Sequence, residues 1–249
     1  MMGRLLKYEL KKMGSLNLIM LAILGVLEVL FLIMINLDQE NGMFLTFFLI
    51  FLCLFVFLIV VGLEGIVTYF RELKTRRSYM MFLTPNSAYK IMGAKLIATL
   101  IWLAIFSVIT YIVVALDVIA IYGKYEGLEY VIERISEILS ILTKLDISFA
   151  SLLASFVDTV VNGIMILTIA FFAITLSSTF LINNRANGFI SFILFIAVSV
   201  VIGTISSAIF DRDTMNYMAY TGAHIAYNAA FAILAFWLTG RLLEKKIDL

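Results

Sequence analysis

One carboxylate, Glu28, lies deep within an apolar stretch, and no Lys or Arg stands at the middle of any other such stretch to neutralise it. A charge at that depth costs about 2.5–3.5 kcal/mol on insertion scales, so the group must face a cavity or a partner. Three roles fit: a protonated acid, a hydrogen-bonding partner of an amide such as Asn162 or Asn228, or a contact for a cationic substrate. The last would make Glu28, Asn162 and Asn228 candidates for a translocation path. Asp117, Asp158 and the single histidine, His224, fall toward one end of their stretches. Water reaches such positions, and solvation or interhelical pairing is the expected role. Glu64 closes the second stretch and is placed to pair with Arg71 or with a basic group of a partner.

Most catalytic chemistry is missing. One histidine excludes His-x-x-x-His and His-Glu-x-x-His metal pairs, and the lone Cys53 excludes an intrachain disulfide or a cysteine cluster for zinc. No Gly-x-Ser-x-Gly nucleophile elbow occurs, and a Ser-His dyad built on His224 would lack a Gly-x-Ser motif. A Gly-x-x-x-x-Gly-Lys-Ser/Thr phosphate loop is absent too, and no hydrophilic gap could hold a nucleotide-binding domain. The sequence therefore predicts no catalytic residue, metal ligand or cofactor site in this chain, and nucleic acid is not among its expected partners.

These groups sit on six apolar runs: Leu16 to Leu37, Met43 to Leu63, Leu96 to Leu116, Phe149 to Ile182, Gly188 to Phe210 and Ala219 to Gly240. Each matches the roughly 20 residues that cross a hydrocarbon core of about 30 Å. With 63% hydrophobic and 14% charged residues, the 249-residue chain reads as an all-α polytopic membrane protein of one domain. Fourteen of the eighteen Lys and Arg fall in the N-terminus, alternate gaps and the C-terminus. The positive-inside rule then puts both termini in the cytoplasm and the acidic gaps outside. The first run is too long for a signal-peptide core and lacks a small-residue cleavage site, so it reads as a retained helix. The expected location is the cell membrane.

Residues 1–15 form a basic amphipathic stretch, with Met2, Leu5, Leu6, Leu10 and Met13 on one face and Arg4, Lys7, Lys11 and Lys12 largely on the other. Such a helix lies in the headgroup plane. In the segment 67–95, a basic helix is expected to stop at Pro85, the only proline, and a new one to start at Asn86 or Ser87, which can cap it. Within 123–148, Leu128, Val131, Ile132, Ile135, Ile138, Leu139, Leu142 and Leu145 recur at helical spacing opposite Glu129, Glu133, Glu137 and Lys144. This predicts an amphipathic helix outside the membrane, either lying on the outer leaflet or forming a lid with an acidic rim. Small residues recur every fourth position at Ser199, Gly203 and Ser207 and at Gly222, Ala226 and Ala230, a packing signal read here as mostly intrachain.

Arg71-Glu72, then Arg77-Ser78-Tyr79-Met80-Met81-Phe82-Leu83-Thr84-Pro85-Asn86-Ser87, then Ile91 and Gly93-Ala94-Lys95-Leu96 resemble the segment between the second and third helices of ABC-2 type permeases. Leu6-Lys7-Tyr8-Glu9-Leu10-Lys11-Lys12 resembles the interfacial helix of that family. Arg77-Ser78 stands where many members have Gly-Thr, and Asp211 to Met218 leaves little room for their extracellular re-entrant helices. The resemblance implies a permease homodimer engaged by a separate ABC ATPase, which would hold the ATP and Mg. It also implies that Arg71, Glu72, Arg76, Arg77, Tyr79, Met80, Met81, Phe82 and Pro85 belong to the ATPase-coupling segment. Glu129, Glu133 and Glu137 would then rim an extracellular gate. Within the family the chain most resembles the permeases of phenol-soluble modulin exporters, whose substrates are amphipathic peptides. A six-helix channel or a proton-coupled secondary transporter, using Glu28 and Asp158, is the alternative.

Overall fold

The computed structural model of the protein describes residues 2–74, 87–125, 127, 149–180, 187–210 and 215–247, all its regular structure being helical. Six helices follow one another: α1 (Met2–Asn36), α2 (Glu40–Lys74), α3 (Ala88–Tyr125), α4 (Phe149–Phe180), α5 (Asn187–Ile209) and α6 (Tyr217–Ile247). All six are long and apolar enough to cross a membrane. Their apolar runs contain no proline, and each supplies its own backbone hydrogen bonds, as a chain in lipid must. On α2, Phe44, Phe48, Phe51 and Phe55 form an outward stripe, each at least half exposed. Four exposed phenylalanines on one helical face suit lipid and not water.

The basic N-terminal stretch is not an element of its own. It continues without a break into the first apolar run, because neither Gly14 nor Ser15 stops the helix. A Cβ on Gly14 would lie 3.7 Å from the Trp102 side chain, which packs there and whose Nε1 donates to the Leu10 carbonyl at 3.4 Å. The α1 helix stops at a tight turn where Asp38 takes φ 54°, a left-handed conformation that Asp tolerates better than most residues. The Leu37 amide donates to the Ile33 carbonyl (3.0 Å) and the Gln39 amide to that of Met34 (3.3 Å), so the last carbonyls are used.

The α3 helix departs from expectation in the opposite sense. The apolar run ends at Leu116 because Asp117 follows, yet the helix carries on through Val118, Ile119, Ala120 and Ile121 to Tyr125. Asp117 is therefore an interior residue of α3.

The chain forms two compact units. One comprises Lys7–Glu64 and Thr99–Ile147, the other Met1–Leu6, Gly65–Ala98 and Ser148–Leu249. In the first, Met20, Leu24, Phe31 and Ile35 of α1 meet Ile50, Leu54, Phe57 and Val61 of α2 and Phe106 and Val113 of α3. Phe57 and Phe106 pack edge to face at 6.2 Å.

In the second unit α4 packs against both α5 and α6. The Ser177 and Ser191 hydroxyls join α4 to α5, and the Tyr227 hydroxyl of α6 donates to the Ile202 carbonyl of α5 at 2.7 Å. Apart from half-buried Ser199, the two small-residue ridges do not mediate this packing. Gly203, Ser207, Gly222, Ala226 and Ala230 are exposed, and a Cβ at Gly203 or Gly222 would meet nothing within 4 Å. The intrachain reading of these ridges is thus corrected: larger side chains and hydroxyls hold the helices, and the ridges face away.

Candidate functional site

Glu28 lies one turn beyond Leu24 on the buried stripe of α1, and its carboxyl faces that of Asp117 on α3. Asp117 is 1% exposed. Among the described residues, Glu28 Oε2 and both Asp117 oxygens have no hydrogen-bond donor. Two acceptors thus meet where a donor is needed. Sequence reasoning sought the partner of Glu28 among amides, and it missed Asp117 by taking it for a helix end. The apolar stretch Val118 to Ile121 was the signal that would have found it.

Seven residues further along each helix, Lys124 donates to the Ile35 carbonyl and pairs with Asp38 in the turn. Ile35 and Lys124 are 89 residues apart, the same offset as Glu28 and Asp117. Seven residues are nearly two turns, so α1 and α3 run parallel with one seam facing throughout. This seam sets the two carboxyls opposite each other.

Toward the other end of the unit, the Glu64 carboxyl of α2 faces the Asn17 amide of α1, with Lys12 supplying positive charge nearby. Asn17 is fully buried, and neither of its polar atoms makes a close hydrogen bond, nor does Glu64 Oε2. The partner of Glu64 is thus an amide of the same unit.

In the second unit, His224 Nδ1 of α6 lies 2.8 Å from Asp158 Oδ1 of α4. Asn228, one turn on and 2% exposed, brings its amide to within 3.2 Å of the same nitrogen. Tyr220 stacks on the imidazole at 5.9 Å with an 8° interplanar angle. Interhelical pairing, expected for Asp158 and His224, is what this geometry provides. Asn162 is half-buried on α4. Of the three residues suggested for a translocation path, Glu28 belongs to one unit and Asn162 and Asn228 to the other.

The described flanks of the 67–95 segment are fixed by buried polar contacts. Glu72, near the end of α2, forms an ion pair with Lys95 of α3, their side chains being 17% and 4% exposed. The Tyr69 hydroxyl shares a 2.6 Å hydrogen bond with Thr175 of α4, and its ring stacks on Phe171 with centroids 4.3 Å apart. At the start of α3, the Tyr89 hydroxyl donates to the Trp237 carbonyl of α6 at 3.3 Å. Arg71 is exposed. Arg76, Arg77, Tyr79, Met80, Met81, Phe82 and Pro85 lie outside the described residues, as do Glu129, Glu133, Glu137 and the amphipathic stretch Leu128 to Leu145.

A cleft of about 320 Å³ opens among α4, α5 and α6, with walls that include Phe172, Val198, Val201, Phe231 and Leu234. Its lining is apolar, so it offers no orienting group to a polar ligand. Among the described residues, no group of three or more His, Cys, Asp or Glu could hold a metal ion. Compared with protein-family models, curated proteins and solved structures, the chain matches none.

Proposed function

We propose that the chain is the membrane subunit of an ATP-driven exporter of the ABC-2 type, working as a homodimer with a separate ATPase and moving an amphipathic substrate, foremost a peptide, out of the cell. The observation that carries this reading is the bracing of the 67–95 segment. Glu72 and Lys95 join α2 to α3, and Tyr69 joins α2 to α4 through Phe171 and Thr175. A push on the basic residues between these contacts would reach three helices as one movement. Cation sidedness supports a cytoplasmic segment, where an ATPase would dock, and a sequence without a phosphate loop fits hydrolysis by a separate partner. Packing in a bilayer is favoured by discrete close contacts of this kind, since lipid tails are as apolar as leucine.

Replacing Tyr79, Met80, Met81 and Phe82 by serines tests the coupling role. The variant is expected to insert normally, to lose its ATPase partner on purification and to lose export. Retention of both the partner and substrate-stimulated hydrolysis would reject the segment as the coupling element.

A proton-coupled transporter is the second reading, favoured by the facing carboxyls of Glu28 and Asp117. It predicts transport driven by a pH gradient in vesicles that contain this chain alone.

A further inference from the structure

The apolar lengths of the three helices around Glu28 carry very little charge. Across residues 13–37 of α1 and its turn, 41–63 of α2 and 96–123 of α3, Glu28 and Asp117 are the only Asp, Glu, Lys, Arg or His. The other charged groups in the described part of this unit stand at its ends: Lys7, Glu9, Lys11, Lys12 and Glu64 at one, Asp38, Glu40 and Lys124 at the other. Lys124 is the nearest cation along α3, about 10 Å from Asp117 at 1.5 Å per residue, and it is engaged by Asp38 and the Ile35 carbonyl. Cys53 of α2, which packs against the apolar core, brings no positive charge.

Two carboxylates in contact, one buried and the other half-buried, with no cation beside them among the described residues of this unit, repel strongly and cannot both stay ionised. A single proton resolves the conflict. One carboxylic acid then donates its O–H to the other carboxylate, and the donor that the buried oxygens lack is supplied. The arrangement also carries a second pointer to a ligand, because the Asp117 side chain is 1% exposed and set against the Glu28 carboxyl, with both its oxygens buried and without a donor among the described residues.

We propose that Glu28 and Asp117 form a proton-binding site within the membrane-spanning part of the chain, holding one proton in common and exchanging it with solvent. Binding adds one H⁺ to the dianionic pair and release returns it, so no other reactant is involved. The site does not rest on the exporter reading. A permease driven by ATP and a secondary transporter would each gain from it a proton whose release can accompany a change in helix packing.

The test uses the full chain in lipid nanodiscs and two probes. Dicyclohexylcarbodiimide, an apolar reagent that modifies protonated carboxyls, is followed by mass spectrometry. The C=O stretch of protonated carboxyls is followed by infrared spectroscopy in H₂O and D₂O. Near neutral pH the native chain is expected to be labelled at Glu28 or Asp117, with labelling falling as pH rises, and to show a carboxylic-acid band. Glu28→Gln and Asp117→Asn should each change that band, and the double variant should abolish both signals. If the double variant fails to fold, the two single variants decide, since each keeps an amide to pair with the remaining carboxyl. A native chain that is neither labelled at these two residues nor shows a band altered by either substitution overturns the proposal. Protection from labelling by sodium chloride but not by choline chloride, with no carboxylic-acid band, would instead assign a sodium ion and also overturn it.

Discussion

Glu28 on α1 and Asp117 on α3 meet carboxyl to carboxyl, set opposite each other by the same parallel seam that brings Lys124 to the Ile35 carbonyl. Glu28→Gln keeps shape and hydrogen-bonding capacity and should leave stability nearly unchanged. Glu28→Leu leaves Asp117 buried without a partner, which costs about 1–3 kcal/mol. Thermal unfolding in detergent or nanodiscs should rank native and Gln together and Leu well below. Equal loss in Gln and Leu would show that the pair contributes nothing through hydrogen bonding.

The Glu72–Lys95 ion pair is buried, so removing one partner should hurt more than removing both. Lys95→Met takes its cation from the Glu72 carboxylate and should cost up to about 3–5 kcal/mol, while Lys95→Met with Glu72→Leu should recover much of that loss. Unfolding midpoints of the two variants check this, and a double variant no better than the single one would contradict it.

Gly240 is where Tyr89 of α3 rests on α6. A Cβ there would collide with the Tyr89 ring, so no side chain is accepted without displacing it. Gly240→Ala should therefore destabilise the unit by about 1–3 kcal/mol through overpacking. Tyr89→Phe loses only a 3.3 Å hydrogen bond at an exposed edge and should cost less than about 1 kcal/mol. Unfolding midpoints of the two variants compare them, and a fully stable Gly240→Ala chain would refute the close approach.

Sidedness is open to direct chemistry. Single cysteines at Glu129 and Glu137 in a Cys53→Ala background should react with a membrane-impermeant thiol reagent on intact cells, and cysteines at Arg76 or Arg241 only after lysis. The reverse pattern would invert the topology deduced from the distribution of Lys and Arg.

The six helices were legible in the sequence because apolar length alone decides whether a segment crosses a bilayer. Their ends were less so. The basic stretch before Leu16 reads as a separate helix by its charge, but no residue there breaks the backbone, and α1 begins at Met2. Asp117 reads as a boundary by its charge, yet the apolar residues after it carry α3 onward. The Glu28–Asp117 contact depends on the parallel register of α1 and α3, which no local pattern encodes. The Asp158–His224 pair was closer to hand, since two polar groups at similar depth on neighbouring helices have few other partners. The exposed ridges at Gly203 and Gly222 show the limit of pattern reading. Four-residue spacing identifies a smooth face but not what that face meets.

Gentle purification of the tagged chain from its native membranes, followed by mass spectrometry and an ATPase assay, tests whether the chain is the membrane part of an ATP-driven exporter. The expected product is a complex with two copies of this chain and a stoichiometric ATP-hydrolysing partner, whose hydrolysis rises when an amphipathic peptide is added. A chain that purifies free of any ATPase, and that moves the same peptide across vesicle membranes under a pH gradient alone, would contradict it.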